Sequence, residues 1–253
     1  MADAIVLGSG TSNGVPMLGI DYPPEFLANP KNHRTRSSIL LQGPTGNVLV
    51  DCAPELRLQL LRERIKMIGA VIITHTHADH IMGMDDLRSF TELGRKVMPI
   101  YTLPQYQRDI RRVFDYAFRD TEADVVVPQF DLRVPPEVLE VCGLSIRIFE
   151  VMHGPWPVLG LRVNDFAYIT DVNHIPSKAA DHLHGLDTLI LDGVRRKPHP
   201  THFHLEQSLE AAKKIGARQT YLTHLSHDYD HDITNTELPR GVELAYDGLR
   251  IAL

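Results

Sequence analysis

Five short apolar runs end on a histidine or an aspartate, and this pattern limits the available folds more than any other feature of the chain. Val48-Leu49-Val50 leads to Asp51, and Val71-Ile72-Ile73-Thr74 leads to His75. Ile146 to Met152 leads to His153, Phe166 to Thr170 leads to Asp171, and Thr220 to Thr223 leads to His224. Runs of this length read as core strands. Residues just past the carboxyl ends of strands along one sheet edge share a region of space, where loops build sites on a rigid scaffold. A lone histidine after a strand is usually a capped core residue. Several such ends together predict a site.

The densest of them is His75-Thr76-His77-Ala78-Asp79-His80. In extended backbone, His75 and His77 project to one side, because side chains alternate with period two. Asp79 and His80 are neighbours and must splay apart as the chain turns, so one segment can feed two metal positions. A His-Glu-x-x-His helix, by contrast, presents residues four apart to a single zinc. His75, His77, His80, His153 and His224 offer imidazoles, and Asp79 and Asp171 offer carboxylates. These are too many ligands for one tetrahedral ion but suit two. The expected division gives His75, His77 and His153 to one ion and Asp79, His80 and His224 to the other, with Asp171 between them. Nitrogen and oxygen donors without thiolate admit zinc, manganese or iron. Asp51 is expected just outside the ligands, orienting one of them or a bound water.

The rest of the chain supports one α/β domain spanning residues 1–253. Its hydrophobic content of 43% is enough for a sizeable core, and the formal net charge of −6 argues against nonspecific coating of nucleic acid. The two cysteines, Cys52 and Cys142, each lie beside an apolar run and read as core thiols. Without a disulfide framework or cysteine zinc knuckle, a reducing cytoplasm is expected. The opening Met1 to Gly8 has no basic region and no long apolar core, so neither a signal peptide nor a membrane span is expected. The loop Gly8 to Gly14 does not carry the Gly-x-Gly-x-x-Gly spacing. It reads as a tight turn bringing backbone N–H groups near a site rather than a dinucleotide fingerprint.

Ser38–Leu41 and Asn47–Val50 predict a hairpin around Gly43-Pro44-Thr45-Gly46. Helical spacing covers Pro54–Arg64, Asp85–Leu93, Tyr106–Phe118 and Glu206–Ile215, the last closed by Gly216. Tyr22 to Pro30 reads as an irregular excursion. The arginines at 108, 111, 112 and 119 read as a solvated face, and His174, His182, His184 and His231 as surface residues. Strands and helices alternate irregularly in both halves, which favours a layered α/β sandwich over a simple βαβ array.

The ordered set Asp51, His75 to His80, His153, Asp171 and His224 resembles the metallo-β-lactamase superfamily over essentially the whole chain. The Leu7-Gly8-Ser9-Gly10-Thr11-Ser12-Asn13-Gly14-Val15-Pro16 opening and Thr223-His224-Leu225-Ser226-His227 are similar to the PhnP-like phosphodiesterases and to tRNase Z. The resemblance implies a four-layer αββα sandwich with a dinuclear site at one edge of the sheets. It also implies hydrolysis of a small, cyclic or open phosphodiester through a metal-bridging hydroxide. His202 matches by distance from His224 and by local pattern the histidine that acts as general acid in the PhnP-like enzymes. With Asp79 it is expected to be catalytic, while His204 would contact substrate or support a ligand. That family also carries a cysteine-rich structural zinc site. Here the Gly19 to Asn29 loop has no cysteine, and His227, at the matching histidine position, has lost those partners, so no structural zinc is expected.

Two divalent cations outweigh the charges of Asp79 and Asp171, so an anionic diester is drawn to the site. At ~4 Å and an effective dielectric of ~20, each unit pair is worth about 4 kcal/mol before desolvation. A water on such ions ionises near neutral pH. Three readings compete: a thioesterase or lactonase, which needs no leaving-group histidine; a tRNA 3′-processing endonuclease, which needs a tRNA-gripping arm and has only 105–128 as a candidate; and a non-catalytic metal-binding module. RNA stays open as a substrate, a membrane partner is not expected, and a homodimer is compatible with everything above.

Overall fold

The computed structural model describes residues 2–94, 96–119 and 126–253. The first half runs through β1 (Asp3–Gly8), α1 (Pro24–Ala28), β2 (Ser38–Gly43), β3 (Gly46–Val50), α2 (Leu56–Arg62), β4 (Ala70–Ile72), α3 (Ala78–Ile81), α4 (Arg88–Gly94), β5 (Met98–Tyr101), α5 (Pro104–Val113) and β6 (Phe130–Arg133). The second half holds β7 (Val138–Val141), β8 (Leu144–His153), β9 (Trp156–Val163), β10 (Phe166–Ile169), α6 (Ser177–Ala180), β11 (Thr188–Asp192), α7 (Leu205–Ile215), β12 (Gln219–Thr223), α8 (His231–Glu237), β13 (Val242–Leu244) and β14 (Arg250–Ala252).

Two seven-stranded sheets result, ordered β14-β1-β2-β3-β4-β5-β6 and β13-β12-β11-β10-β9-β8-β7. In the first sheet β14-β1-β2-β3 pair antiparallel and β3-β4-β5-β6 pair parallel. In the second, β7-β8-β9-β10 are antiparallel and β10-β11-β12-β13 parallel. The two sheets therefore follow the same pairing plan, strand for strand.

Side-chain alternation sorts each strand between two cores. Val6, Ile39, Val48 and Ile72 meet Ile146, Leu161, Tyr168 and Ile190 between the sheets. Ile5, Leu40, Leu49 and Val71 point the other way, onto Leu56 and Leu60 of α2 and Ile110 of α5. On the far side Val151, Ala167, Ile169 and Leu191 pack with Ala179 of α6 and Ala212 of α7. Strands covered on both faces must be apolar at successive positions, which is why the runs read as continuous rather than alternating. The expected helix-sheet-sheet-helix layering is what forms.

Several local expectations need correction. Residues 22–30 are not wholly irregular, since α1 occupies Pro24–Ala28. The helix expected over 106–118 begins at Pro104 and stops at Val113, followed by a 3-10 turn over Asp115–Phe118. That over 85–93 divides into a 3-10 turn at Met84–Leu87 and α4. The short strands β6, β7, β13 and β14, three or four residues each, carry too few residues for a periodic signal. Cys52 is buried, whereas Cys142 is only partly so. His231 is buried rather than superficial, at the start of α8, where its backbone N–H donates to Asn32 Oδ1 at 2.7 Å. The candidate arm at 105–128 overlaps residues 120–125, which lie outside the described residues. No helix among the described residues is long and apolar enough to cross a membrane.

Candidate metal centre

The shared carboxyl edge of the parallel strands gathers the sequence-predicted residues from both sheets. Asp51 follows β3 and the His75 segment follows β4, while His153 ends β8, and Asp171 and His224 follow β10 and β12. Three of these turn on left-handed backbone: Asp51 at φ 63°, Asp171 at φ 47° and His224 at φ 59°. A non-glycine residue in that region costs of order 1–3 kcal/mol. Burying one leucine or isoleucine side chain contributes roughly 1.5–3 kcal/mol, so the three cores readily offset it. The strain aims three side chains where a relaxed strand continuation would not.

Two clusters form. His75, His77, His153 and Asp171 bring one potential ligand atom each within 4.8 Å of one another, and so do Asp79, His80, Asp171 and His224. Asp171 is common to both, in the grouping the sequence predicts. Its Oδ1 lies 3.3 Å from His80 Nε2 and 3.4 Å from His224 Nδ1, while Oδ2 is 3.8 Å from His75 Nε2. All but His77 are buried.

The hydrogen bonds around the clusters point outward from them. Asp51 takes the Thr74 N–H and hydroxyl, each at 2.8 Å, and its Oδ2 is 2.8 Å from His80 Nδ1. Thr201 O accepts from His153 Nδ1 at 2.6 Å. Ser37 Oγ lies 3.2 Å from His224 Nδ1, and Thr74 Oγ1 is 3.1 Å from His75 Nδ1. Left over, buried and without a well-formed hydrogen bond although they crowd one another, are His75 Nε2, His80 Nε2, His224 Nε2 and Asp79 Oδ2. Each orphaned polar atom would cost roughly 1–3 kcal/mol. A carboxylate oxygen and imidazole nitrogens gathered this way fit a divalent cation, which satisfies them together.

Electrostatics agree. Burial raises Asp171 and Asp79, but the surrounding imidazoles outweigh it and hold both carboxyls below their ordinary range. Burial and neighbouring His80 push His75 well below its ordinary value, so it stays neutral. Burial likewise lowers His153 and His224, against the pull of Asp171. Ionised carboxylates beside neutral His75, His153 and His224 suit a cation. At His80 burial lowers the imidazole, but the charges of Asp171, Asp79 and Asp51 outweigh it and raise the group well above its ordinary value, a proton that a bound cation would displace.

His202 lies at the same pocket. Its Nδ1 is 2.7 Å from Asp192 Oδ2, its Nε2 is 3.9 Å from Asp171 Oδ2, and its ring stacks on His224 with centroids 4.8 Å apart. Burial pulls it down, yet the charge and hydrogen bond of Asp192 lift it to about 9. Asp192 itself was missed by the sequence reading. It ends β11 and so obeys the strand-end pattern that found the others. His204 sits differently: it caps α7, its Nδ1 2.7 Å from Gln207 Oε1, and belongs to neither cluster. His227 is half-exposed, edge-on to Tyr22 with ring centroids 6.3 Å apart, and also lies outside both clusters. The Gly8 to Gly14 loop does adjoin the site, since Gly10 O accepts from Ser37 Oγ. Its N–H groups, however, are mostly taken: those of Gly10, Thr11 and Gly14 donate to Thr35, Leu225 and Thr11 carbonyls.

Comparison with known proteins places this architecture. A structure described as a new diphosphatase from the PhnP family superimposes with a TM-score of 0.91 and 39% identity, covering 100% of this chain and 98% of that one. The short form of human tRNase Z shares the fold, with a TM-score of 0.71 at 18% identity, covering 99% of this chain and 98% of that one. Among curated proteins, an octanoyltransferase of Porphyromonas gingivalis is 33% identical over 249 residues, 97% of this chain and 50% of that protein. A ribonuclease Z of Bradyrhizobium sp. (strain ORS 278) is 27% identical over 128 residues, 49% of this chain and 42% of that protein. The chain thus spans about half the length of these curated relatives or less. Residues 46–225 match the beta-lactamase superfamily domain, which takes in β3 through the turn after β12 and every residue of both clusters. The chain belongs to the beta-lactamase superfamily and has the metallo-β-lactamase fold, akin to a structure of the PhnP family.

Proposed function

We propose that the chain is a phosphodiesterase that holds two divalent ions, zinc or manganese and with iron also admitted, and cleaves a small phosphodiester. The observation that carries this reading is the sharing of Asp171 by two ligand clusters, with His202 held over the same carboxylate. His75, His77 and His153 would hold one ion and Asp79, His80 and His224 the other, Asp171 serving both. Bound there, such ions lower the pKa of a water toward neutrality and neutralise charge on the phosphoryl oxygens.

The chain's own groups do the rest. Asp51, Thr201 and Ser37 fix imidazole orientation from outside, so the pocket is preorganised before substrate enters. Asp192 occupies His202 Nδ1 and leaves Nε2 facing the pocket. An alkoxide leaving from phosphorus needs a proton, and His202 Nε2–H supplies it. General acid assistance of this kind is worth roughly 10²–10⁴-fold. Cations bound nearby would pull His202 down from about 9 toward neutrality, where it can both hold and release a proton. The diphosphatase description of the similar PhnP-family structure supports the phosphorus assignment.

A thioesterase or lactonase reading has one observation in its favour, the acyl-transferase name of the P. gingivalis relative. That protein is twice as long as the matched region, so its activity is not carried over. The deciding experiment is a side-by-side assay, with added Mn²⁺ or Zn²⁺, of bis-p-nitrophenyl phosphate, cyclic nucleotides, a cyclic ribose phosphate, pre-tRNA, a thioester and a lactone. Turnover confined to the thioester and lactone would overturn the phosphodiesterase assignment.

A further inference from the structure

Trp156 is the chain's only tryptophan, and it sits at the rim of the candidate metal centre with 48% of its surface exposed. It is the direct cross-strand partner of His153, across the two-residue turn Gly154-Pro155 that joins β8 to β9. Its indole centroid lies 5.9 Å from the His77 ring and 6.2 Å from the His153 ring. The planes meet at 72° and 43°, so neither imidazole lies flat on the indole.

The hairpin that carries it is held at several points. Gly154 N–H donates to Asn173 Oδ1 at 2.8 Å, and His153 Nδ1 is tied to Thr201 O. The Tyr106 hydroxyl donates to Pro157 O at 2.6 Å, which joins α5 to the residue after Trp156. On the same flank Thr76, between His75 and His77, donates to Asp109 Oδ2 of α5 at 3.1 Å. An indole that packing neither covers nor leaves loose presents a broad apolar face beside charged chemistry. Such a face suits a flat aromatic group, because stacking tolerates different rings and needs little further ordering of a fixed side chain.

We propose that Trp156 is the platform for a nucleobase: the substrate is a nucleotide-type phosphodiester whose base stacks on the indole while its phosphate occupies the pocket. The proposal rests on the phosphodiesterase reading and specifies its substrate class. Because Trp156 is the only tryptophan, its fluorescence reports the contact without requiring turnover. Adenosine monophosphate and ribose 5-phosphate are titrated against the metal-loaded and the metal-free protein. Saturable quenching by the nucleotide, and none by the base-free sugar phosphate, is expected.

Kinetics provide the second arm, comparing a nucleoside 2′,3′-cyclic phosphate with the base-free ribose cyclic phosphate. Trp156→Leu should raise KM for the nucleotide over that for the base-free diester by roughly 5- to 100-fold, and Trp156→Phe should restore most of the ratio. Equal quenching by both ligands, no quenching by either, or a Trp156→Leu ratio unchanged from the parent would overturn the stacking role. If neither diester is hydrolysed while quenching remains selective for the nucleotide, the phosphodiesterase reading fails and the stacking site stands. Change of both KM values by the same factor would mean that Trp156 only shapes the hairpin.

Discussion

The two sheets are built on one plan, yet the carboxylates at their matched strand ends have different surroundings. Asp51 follows β3 and Asp171 follows β10, in each sheet the strand at which antiparallel pairing gives way to parallel. Both are buried, and both take left-handed backbone. Asp51 has its oxygens engaged by Thr74 and His80 Nδ1. Asp171 takes one short bond from the Thr170 hydroxyl, at 2.6 Å, and otherwise faces imidazole nitrogens. A carboxylate saturated by donors can only orient its neighbours. One left facing bare nitrogens can share a cation with them. Position in the fold made both acidic groups available, and the local donors separated their work.

That contrast is most sharply tested at the two aspartates themselves. Asp171→Asn should remove both ions, leaving no measurable metal by elemental analysis and no activity, as should exhaustive chelation of the parent protein. Asp51→Asn, which only loosens His80, should weaken metal affinity by roughly 10–100-fold and be rescued by excess metal. Equal losses in the two variants would erase the distinction.

Next in size is the effect of the two groups that end β11 and precede α7, Asp192 and His202. His202→Ala should slow an alkyl diester by about 10²–10⁴-fold while p-nitrophenyl release changes far less. Equal slowing of both would remove His202 from the acid role. Asp192→Asn keeps that acid but removes the charge holding its proton. The acid form is required, so activity on poor leaving groups is lost as pH rises through the His202 pKa. Asp192, against the opposing effect of burial, raises that pKa, so its loss should move the alkaline limb of the kcat profile to lower pH. An unmoved limb would assign Asp192 to packing alone.

The smallest effect separates imidazoles of the pocket from one outside it. Burial, then Lys31 and Arg34, lowers His231 to about 4. The unfolded chain protonates this group near 6.5, before the folded chain does, so its contribution to stability is complete above that pH and is lost as pH falls toward 4. At about 1.4 kcal/mol per unit, the ceiling is ~3 kcal/mol. Chemical denaturation of His231→Gln and parent between pH 7 and 4 should show a shallower loss in the variant.

Much of the site was legible because its ligands sit where buried strands stop. A run such as Val71-Ile72-Ile73 must end at the edge of its sheet, and the polar residue that ends it is delivered to that edge. The same rule applied to Thr188–Leu191 would have found Asp192, which the eye passes over because aspartate after a strand is so common. Residue type and spacing alone do not separate His202 from His204; the family resemblance is what singled out His202. Two residues apart before one helix, one turns to Asp192 and the pocket, the other to Gln207 as a cap. His231 looked superficial because the groups that meet it, Asn32 at its backbone N–H and the Tyr246 ring edge-on to its imidazole, come from distant parts of the chain.

Composition and order of residues determined that two covered sheets would form and that histidines and aspartates would collect at their rim. Both follow from short-range facts: apolar runs bury, and period-two backbone carries the next residue to the edge. Which carboxylate faces the imidazoles, which ring nitrogen is tied back and how much of the indole is left bare were decided only by tertiary packing. Those outcomes depend on donors from distant segments arriving within about 3 Å, a distance that no single stretch of chain encodes.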